Sequence, residues 1–171
     1  MAAPTINQNQ FKQQNLPGML DLQSNPNPGT FIARFNASSS VTAGIQAGQP
    51  LKLVDLSTTD PNGVPIVDVA TADTDYIVGV AVFNTKLGKV LPGGTVVVAG
   101  LGSIIWMQVK AAANRGIAVA ADSSVPGQVL ALTTGKYVFG QLLDKAALGS
   151  GNDICRVRVT CTGLKYSGVS T

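Results

Sequence analysis

The sequence predicts an all-β protein: an antiparallel β-barrel or sandwich with an internal duplication, entered through an extended N-terminal arm. Three observations support this. Short apolar runs alternate with Gly- and Pro-containing turns at even spacing along most of the chain. The chain also resembles itself. Shifted by 61 positions, YIVGVAVFNTKLGKVLPGGTVVVAGLG (76–102) lies over YVFGQLLDKAALGSGNDICRVRVTCTG (137–163) without a gap. Seven of those 27 positions are identical, among them Tyr76/Tyr137, Gly79/Gly140, Val96/Val157 and Val98/Val159. Two copies are too few for a solenoid, so a duplicated β unit closing around one core is expected. Finally, there is no Glu, a favoured residue of exposed helix surfaces.

Residues 1–29 form the arm and 30–171 the β domain. The arm is rich in Gln and Asn, and Pro4, Pro17, Pro26 and Pro28 break any long helix. Its few apolar residues cannot by themselves offset the entropy of ordering it. A segment that serves only as a solvated tail has no need of Phe11, Leu16, Met19 and Leu20, so these are read as anchors that order the arm along another subunit.

Thr30–Asn36 (TFIARFN) opens the domain as a strand, with Phe31, Ala33 and Phe35 on one face and Ile32 and Arg34 on the other. Gln46–Gly48 turns into a strand over 50–55. Asp60-Pro-Asn-Gly63 is a strong turn signal between that strand and one at 66–70. Strands follow at 76–83, 95–99, 103–109, 117–121 and 129–132. Val90–Val109 is 20 residues without a charge, the length of a membrane span. Its glycines and Pro92 instead favour two strands around a Gly-Leu-Gly turn. Lys110–Asn114 is compatible with one helical turn, and Leu142–Leu148 (LLDKAAL) is the best helix candidate.

The composition limits the chemistry. Charged residues are 12% of the 171, against about 25% in typical domains. With neither His nor Glu, a Ser-His-Asp or Cys-His arrangement is impossible within the chain. Two cysteines cannot make a Cys₄ zinc site. No catalytic, cofactor or metal site is expected; Asp73 and Asp75 are a generic turn pair. The net charge of +3 is spread out, which argues against nucleic acid. Met1–Ile6 has neither a basic start nor an apolar run, so a protein made in the cytoplasm is expected. A free monomer keeps itself soluble with mixed surface charge, so a chain this uncharged is expected to share much of its surface with neighbours.

ICRVRVTC (154–161) places Cys155, Val157, Val159 and Cys161 on one strand face and Arg156 and Arg158 on the other. The cysteines are about 20 Å apart along a strand, beyond disulfide reach, and read as free thiols. Arg156 and Arg158 form either a solvated sheet face or an ion-pairing ladder against a partner's carboxylates.

Four stretches, AGQPLKLVD (47–55), YIVGVAVFN (76–84), YVFGQLLDKA (137–146) and CRVRV (155–159), resemble the capsid cement (decoration) proteins of tailed bacteriophages. The resemblance spans roughly residues 45–162. It implies a non-enzymatic β protein of the virion. Such a protein binds the capsid exterior as a dimer or trimer and clamps neighbouring major capsid protein subunits. The partner-binding candidates come from the residues themselves: Phe11, Leu16, Met19 and Leu20 in the arm, which the resemblance does not cover, and Arg156 and Arg158. The alternatives are a head-fibre or tail component and a carbohydrate-binding β-barrel. The latter wants exposed aromatics, whereas Tyr76 and Tyr137 read as core residues at the starts of strands.

Overall fold

A computed structural model describes residues 17–21, 28–54, 59–72, 75–82, 88–147 and 153–161. Among these there are twelve strands and no helix. They build two closed five-stranded barrels. The first contains β1 (Thr30–Phe35), β3 (Pro50–Leu53), β4 (Ile66–Val69), β5 (Gly79–Ala81) and β7 (Thr95–Ala99). The second contains β8 (Ile104–Val109), β9 (Ala118–Ala121), β10 (Gln128–Ala131), β11 (Gly140–Leu142) and β12 (Asp153–Val159). A two-stranded ribbon of β2 (Ile45–Gln46) and β6 (Lys89–Val90) caps the first barrel.

The duplication is therefore a whole barrel, and there are two cores rather than the one expected. Around each ring the order and directions are the same: β1-β4-β3-β5-β7 against β8-β10-β9-β11-β12. The registers agree as well. Arg34 lies opposite Ile66 as Gln108 lies opposite Gln128. Leu51 lies opposite Val69 and Gly79, as Val119 lies opposite Ala131 and Gly140. Val98 lies opposite Phe31 and Ala81, as Val157 lies opposite Ile105 and Leu142. The pairs Phe31/Ile105, Val67/Val129, Leu51/Val119, Gly79/Gly140 and Val98/Val157 thus close both rings without a slip. Bonds outside the ladders repeat too: Val78 N–H donates to Leu51 O as Phe139 N–H donates to Val119 O. One pair in each barrel, β1 with β4 and β8 with β10, is parallel; the remaining pairs are antiparallel.

The self-alignment by sequence is right at Gly79/Gly140 but slips by two in the last strand, where Val98 matches Val157 rather than Val159. A shift of two preserves which face each side chain occupies, so hydrophobic pattern alone cannot detect it. The shared glycine has a steric cause. A Cβ on Gly79 would lie 2.4 Å from Ala99 O, and one on Gly140 would lie 2.5 Å from Arg158 O.

Alternation fills the cores. Ala33 and Phe35 point inward from β1 with Leu51, Val67, Val96 and Val98, while Ile32 and Arg34 face out. In the second barrel Ile105, Met107, Val119, Phe139, Leu142 and Val157 do the same. This second cluster continues into the first barrel through Ala70, Ile77, Val80 and Ala99, which seals the two barrels end to end. The uncharged 90–109 window holds the end of β6, a turn at 91–94, β7, a turn at Gly100–Ser103 and β8, so it links one barrel to the next.

A second tie is made of glycine. A Cβ on Gly48 would stand 2.4 Å from Gly127 Cα, one on Gly18 2.4 Å from Gly48 N, and one on Gly127 2.4 Å from Pro17 Cβ. All three residues have positive φ, and Gly127 N–H donates to Gly48 O at 3.0 Å. The arm, a first-barrel loop and a second-barrel loop meet there at backbone contact.

Two helical expectations fail. In Leu142–Leu148, Leu142 ends β11 fully buried, Leu143 N–H donates to Arg156 O, and Ala146 exchanges backbone bonds with Ala113. These cross-chain bonds replace the i→i−4 bonds a helix would make. Ala113 lies in Lys110–Asn114, where the same bridge stands in place of a helical turn. Gln46, expected to begin the turn at Gln46–Gly48, instead belongs with Ile45 to ribbon strand β2.

Candidate partner-binding surface

The predicted anchors Phe11 and Leu16 lie outside the described residues. Met19 and Leu20 lie on the chain's own second barrel. Residues 18–21 add antiparallel to the outer side of β8. Gly18 N–H donates to Trp106 O at 2.7 Å, Trp106 N–H to Met19 O at 2.8 Å and Asp21 N–H to Ile104 O at 2.8 Å. Leu20 bridges Ile105 and packs against the second core. β8 offers this edge because β10 joins it only at Gln108 and Val109, leaving residues 104–106 open on that side.

Arg156 completes the seat. Its guanidinium meets Asp144 (Nη2 to Oδ1 at 2.7 Å, Nε to Oδ2 at 3.0 Å) and, at 3.5 Å, the buried Asp21 of the arm. Its backbone N–H also donates to Asp144 at 2.9 Å, and its side chain lies over the Trp106 ring, 5.9 Å from the centroid. These Arg156 hydrogen bonds hold the Asp144 carboxyl below its ordinary value against the opposing effect of burial. The same contact with Asp144 raises the Arg156 pKa, so the pair is fully charged near neutrality. Arg156 stands out in the sequence, but Asp21, Trp106 and Asp144 do not, because pairing across 12 and 135 positions leaves no local pattern.

Arg158 projects from the same outward face as Arg156 and is exposed, in register with Gln141 on β11. Ile154, 40% exposed, completes this row. Inward, Cys155 and Cys161 are free thiols, pushed by burial to about 11 and about 12. Tyr76 and Tyr137 are not core residues. Tyr76 is exposed, and their rings meet edge to face with centroids 5.5 Å apart. Asp75, half of the Asp73/Asp75 pair, accepts from Lys52 at 2.9 Å and from the Thr71 and Ala72 N–H groups; Asp73 lies outside the described residues.

Charge is spent internally. Among the described residues, five Asp form ion pairs within the chain: Asp60 with Arg34, Asp75 with Lys52, Asp122 with Lys110, and Asp21 and Asp144 with Arg156. Large apolar side chains stand outside, including Leu101 (70% exposed), Leu91 (62%) and Ile32 (58%).

No protein-family model matches the chain, and no curated protein matches it. Among solved structures, the N base of head fiber gp8.5 in bacteriophage phi29 overlays with a TM-score of 0.47 at 17% identity, covering 80% of this chain and 98% of that one. An overlap this loose leaves the role of this chain to its own chemistry.

Proposed function

We propose that this protein is a non-enzymatic structural component of a tailed-phage virion, and specifically a cement protein on the capsid exterior that bridges major capsid protein subunits. The supporting observation is how charge is distributed. Most of the described carboxylates are neutralised inside the chain, while large aliphatic side chains face outward. A surface of this kind gains free energy when neighbours cover it. The motif resemblance at 47–55, 76–84, 137–146 and 155–159 agrees with this reading.

In this reading the row of Ile154 and Arg158 meets the shell, with Arg158 supplying a fork for a partner carboxylate. Binding of the purified protein to undecorated shells tests it. Saturable binding at many equivalent sites, with a higher temperature for shell disruption, is the expected result. Arg158→Ala should weaken binding and leave the melting curve of the free protein unchanged. Occupancy of only a few sites per particle identifies a head-fibre or tail part instead, and no binding overturns the virion reading.

A further inference from the structure

The β8 edge that the arm fills has an equivalent in the first barrel. By register Ile104 corresponds to Thr30, Ile105 to Phe31 and Trp106 to Ile32. β4 joins β1 only at Arg34 and Phe35, as β10 joins β8 only at Gln108 and Val109. The outer side of residues 30–32 is therefore open in the same way. On β8 this side presents Trp106 N–H, Trp106 O and Ile104 O, and the arm takes all three. On β1 the corresponding Ile32 N–H, Ile32 O and Thr30 O have no partner among the described residues. Ile32 is 58% exposed, and Val97, opposite it on β7, is 44% exposed. An unpaired strand edge beneath aliphatic side chains is a template for an added strand.

We propose that this edge is a strand-addition site for the chain's own residues 1–16, which pair antiparallel along Thr30–Ile32 as Gly18–Asp21 pair along β8. Three observations select that occupant. The first is direction. An antiparallel strand on this edge leaves at Thr30, opposite Ala99, at the end of the barrel sealed against its neighbour. Pro17 starts at that same boundary, against Gly127 and beside Gly48. The second is reach. Sixteen extended residues span about 50 Å, and strands stand only about 4.8 Å apart. The third is chemistry. The filled seat presents Arg156 and receives Asp21, whereas the open seat presents Val97 and Ile32 at the corresponding positions. Residues 1–16 contain no acid and one charged side chain, Lys12, with Ile6 and Phe11 to lie over an aliphatic pair. Beyond Pro4 every residue of the segment keeps its N–H donor. Tethering at Pro17 raises the local concentration of the segment at the edge. The arm then straps both barrels, and Phe11 serves this chain rather than another subunit.

Backbone amide exchange of the full chain tests this, with the Trp106 amide as internal reference. The Ile32 amide is expected to exchange within about tenfold of the Trp106 amide. The double variant Ile6→Asp, Phe11→Asp should accelerate Ile32 by about tenfold or more while Trp106 stays unchanged. Exchange of Ile32 at the rate of an open amide in the unmodified chain overturns the proposal, as does an unchanged Ile32 rate in the double variant. A spin label on Gln14→Cys separates self from neighbour. Broadening of Thr30–Ile32 within the labelled molecules supports the assignment. Broadening of an isotope-labelled, unmodified copy mixed with spin-labelled molecules assigns the edge to a second copy and overturns it.

Discussion

Replacing Gly48 by alanine tests the contact that ties the arm to both barrels. Two costs are expected at this position. Alanine must hold φ near +76°, which costs about 1–2 kcal/mol for a residue with a Cβ. That Cβ would also lie 2.4 Å from Gly127 Cα, a backbone atom that cannot rotate away. Relieving such overpacking costs about 1–3 kcal/mol, and separating the loops weakens the 3.0 Å Gly127 N–H to Gly48 O bond, worth about 0.5–1.5 kcal/mol. Gly63 is the control. It has the same φ of +76°, and a Cβ there meets nothing within 4 Å. Gly63→Ala should therefore cost only the conformational term, and Gly48→Ala about 2 kcal/mol more. Urea unfolding followed by Trp106 fluorescence reads the difference in midpoint, provided the slope is unchanged. In a thermal scan a gap of that size corresponds to roughly 4–8 °C. Two variants within about 0.5 kcal/mol of each other would show that the three glycines are not in backbone contact.

Three further outcomes follow from the same structure. Gly79→Ala and Gly140→Ala face equivalent carbonyl clashes at 2.4 and 2.5 Å with no positive φ involved, so both should destabilise by about 1–3 kcal/mol; a harmless change at only one of them, in denaturant titration, contradicts the register equivalence. Ser103 is fully buried and its hydroxyl has no hydrogen-bond partner among the described residues, so Ser103→Ala should leave the melting midpoint unchanged or raise the stability by about 1 kcal/mol, and a clear loss would point to a partner for that hydroxyl. The Asp60, Asp75, Asp122 and Asp144 carboxyls are held below their ordinary value, so their stabilisation is complete above about pH 4 and is lost as pH falls through the lower folded values; Asp144→Asn should flatten this acid-side slope, and an unchanged slope would show that Arg156 does not stabilise the charged form.

Much of the fold is legible from alternation. TFIARF shows its faces plainly because Phe31, Ala33 and Phe35 recur with period two, and Asp60-Pro-Asn-Gly63 marks its hairpin because Pro and Gly set the turn dihedrals. The repeat is legible where Gly79 and Gly140 must each pass beneath a carbonyl, and it slips in the last strand where only a Val-x-Val pattern remains. LLDKAAL misleads because local helix propensity is overridden by pairing between Ala146 and Ala113, a contact that no local window contains. The arm seat is hidden for a similar reason. Nothing near Arg156 in sequence announces Asp21, and strand addition at β8 follows from how far β10 extends along it. Five of the charged residues that suggest a shared surface by their scarcity are acids already paired within the chain. That pairing strengthens the composition argument only once side-chain positions are known.

Cryo-electron microscopy of intact particles carrying this protein tests the functional reading most directly. The expected result is density for two five-stranded barrels, joined end to end, at repeated positions on the outer surface of the shell, with the Ile154 and Arg158 row against major capsid protein subunits. Particles whose outer shell lacks this density, or that carry it inside the shell, would rule out a cement protein on the capsid exterior.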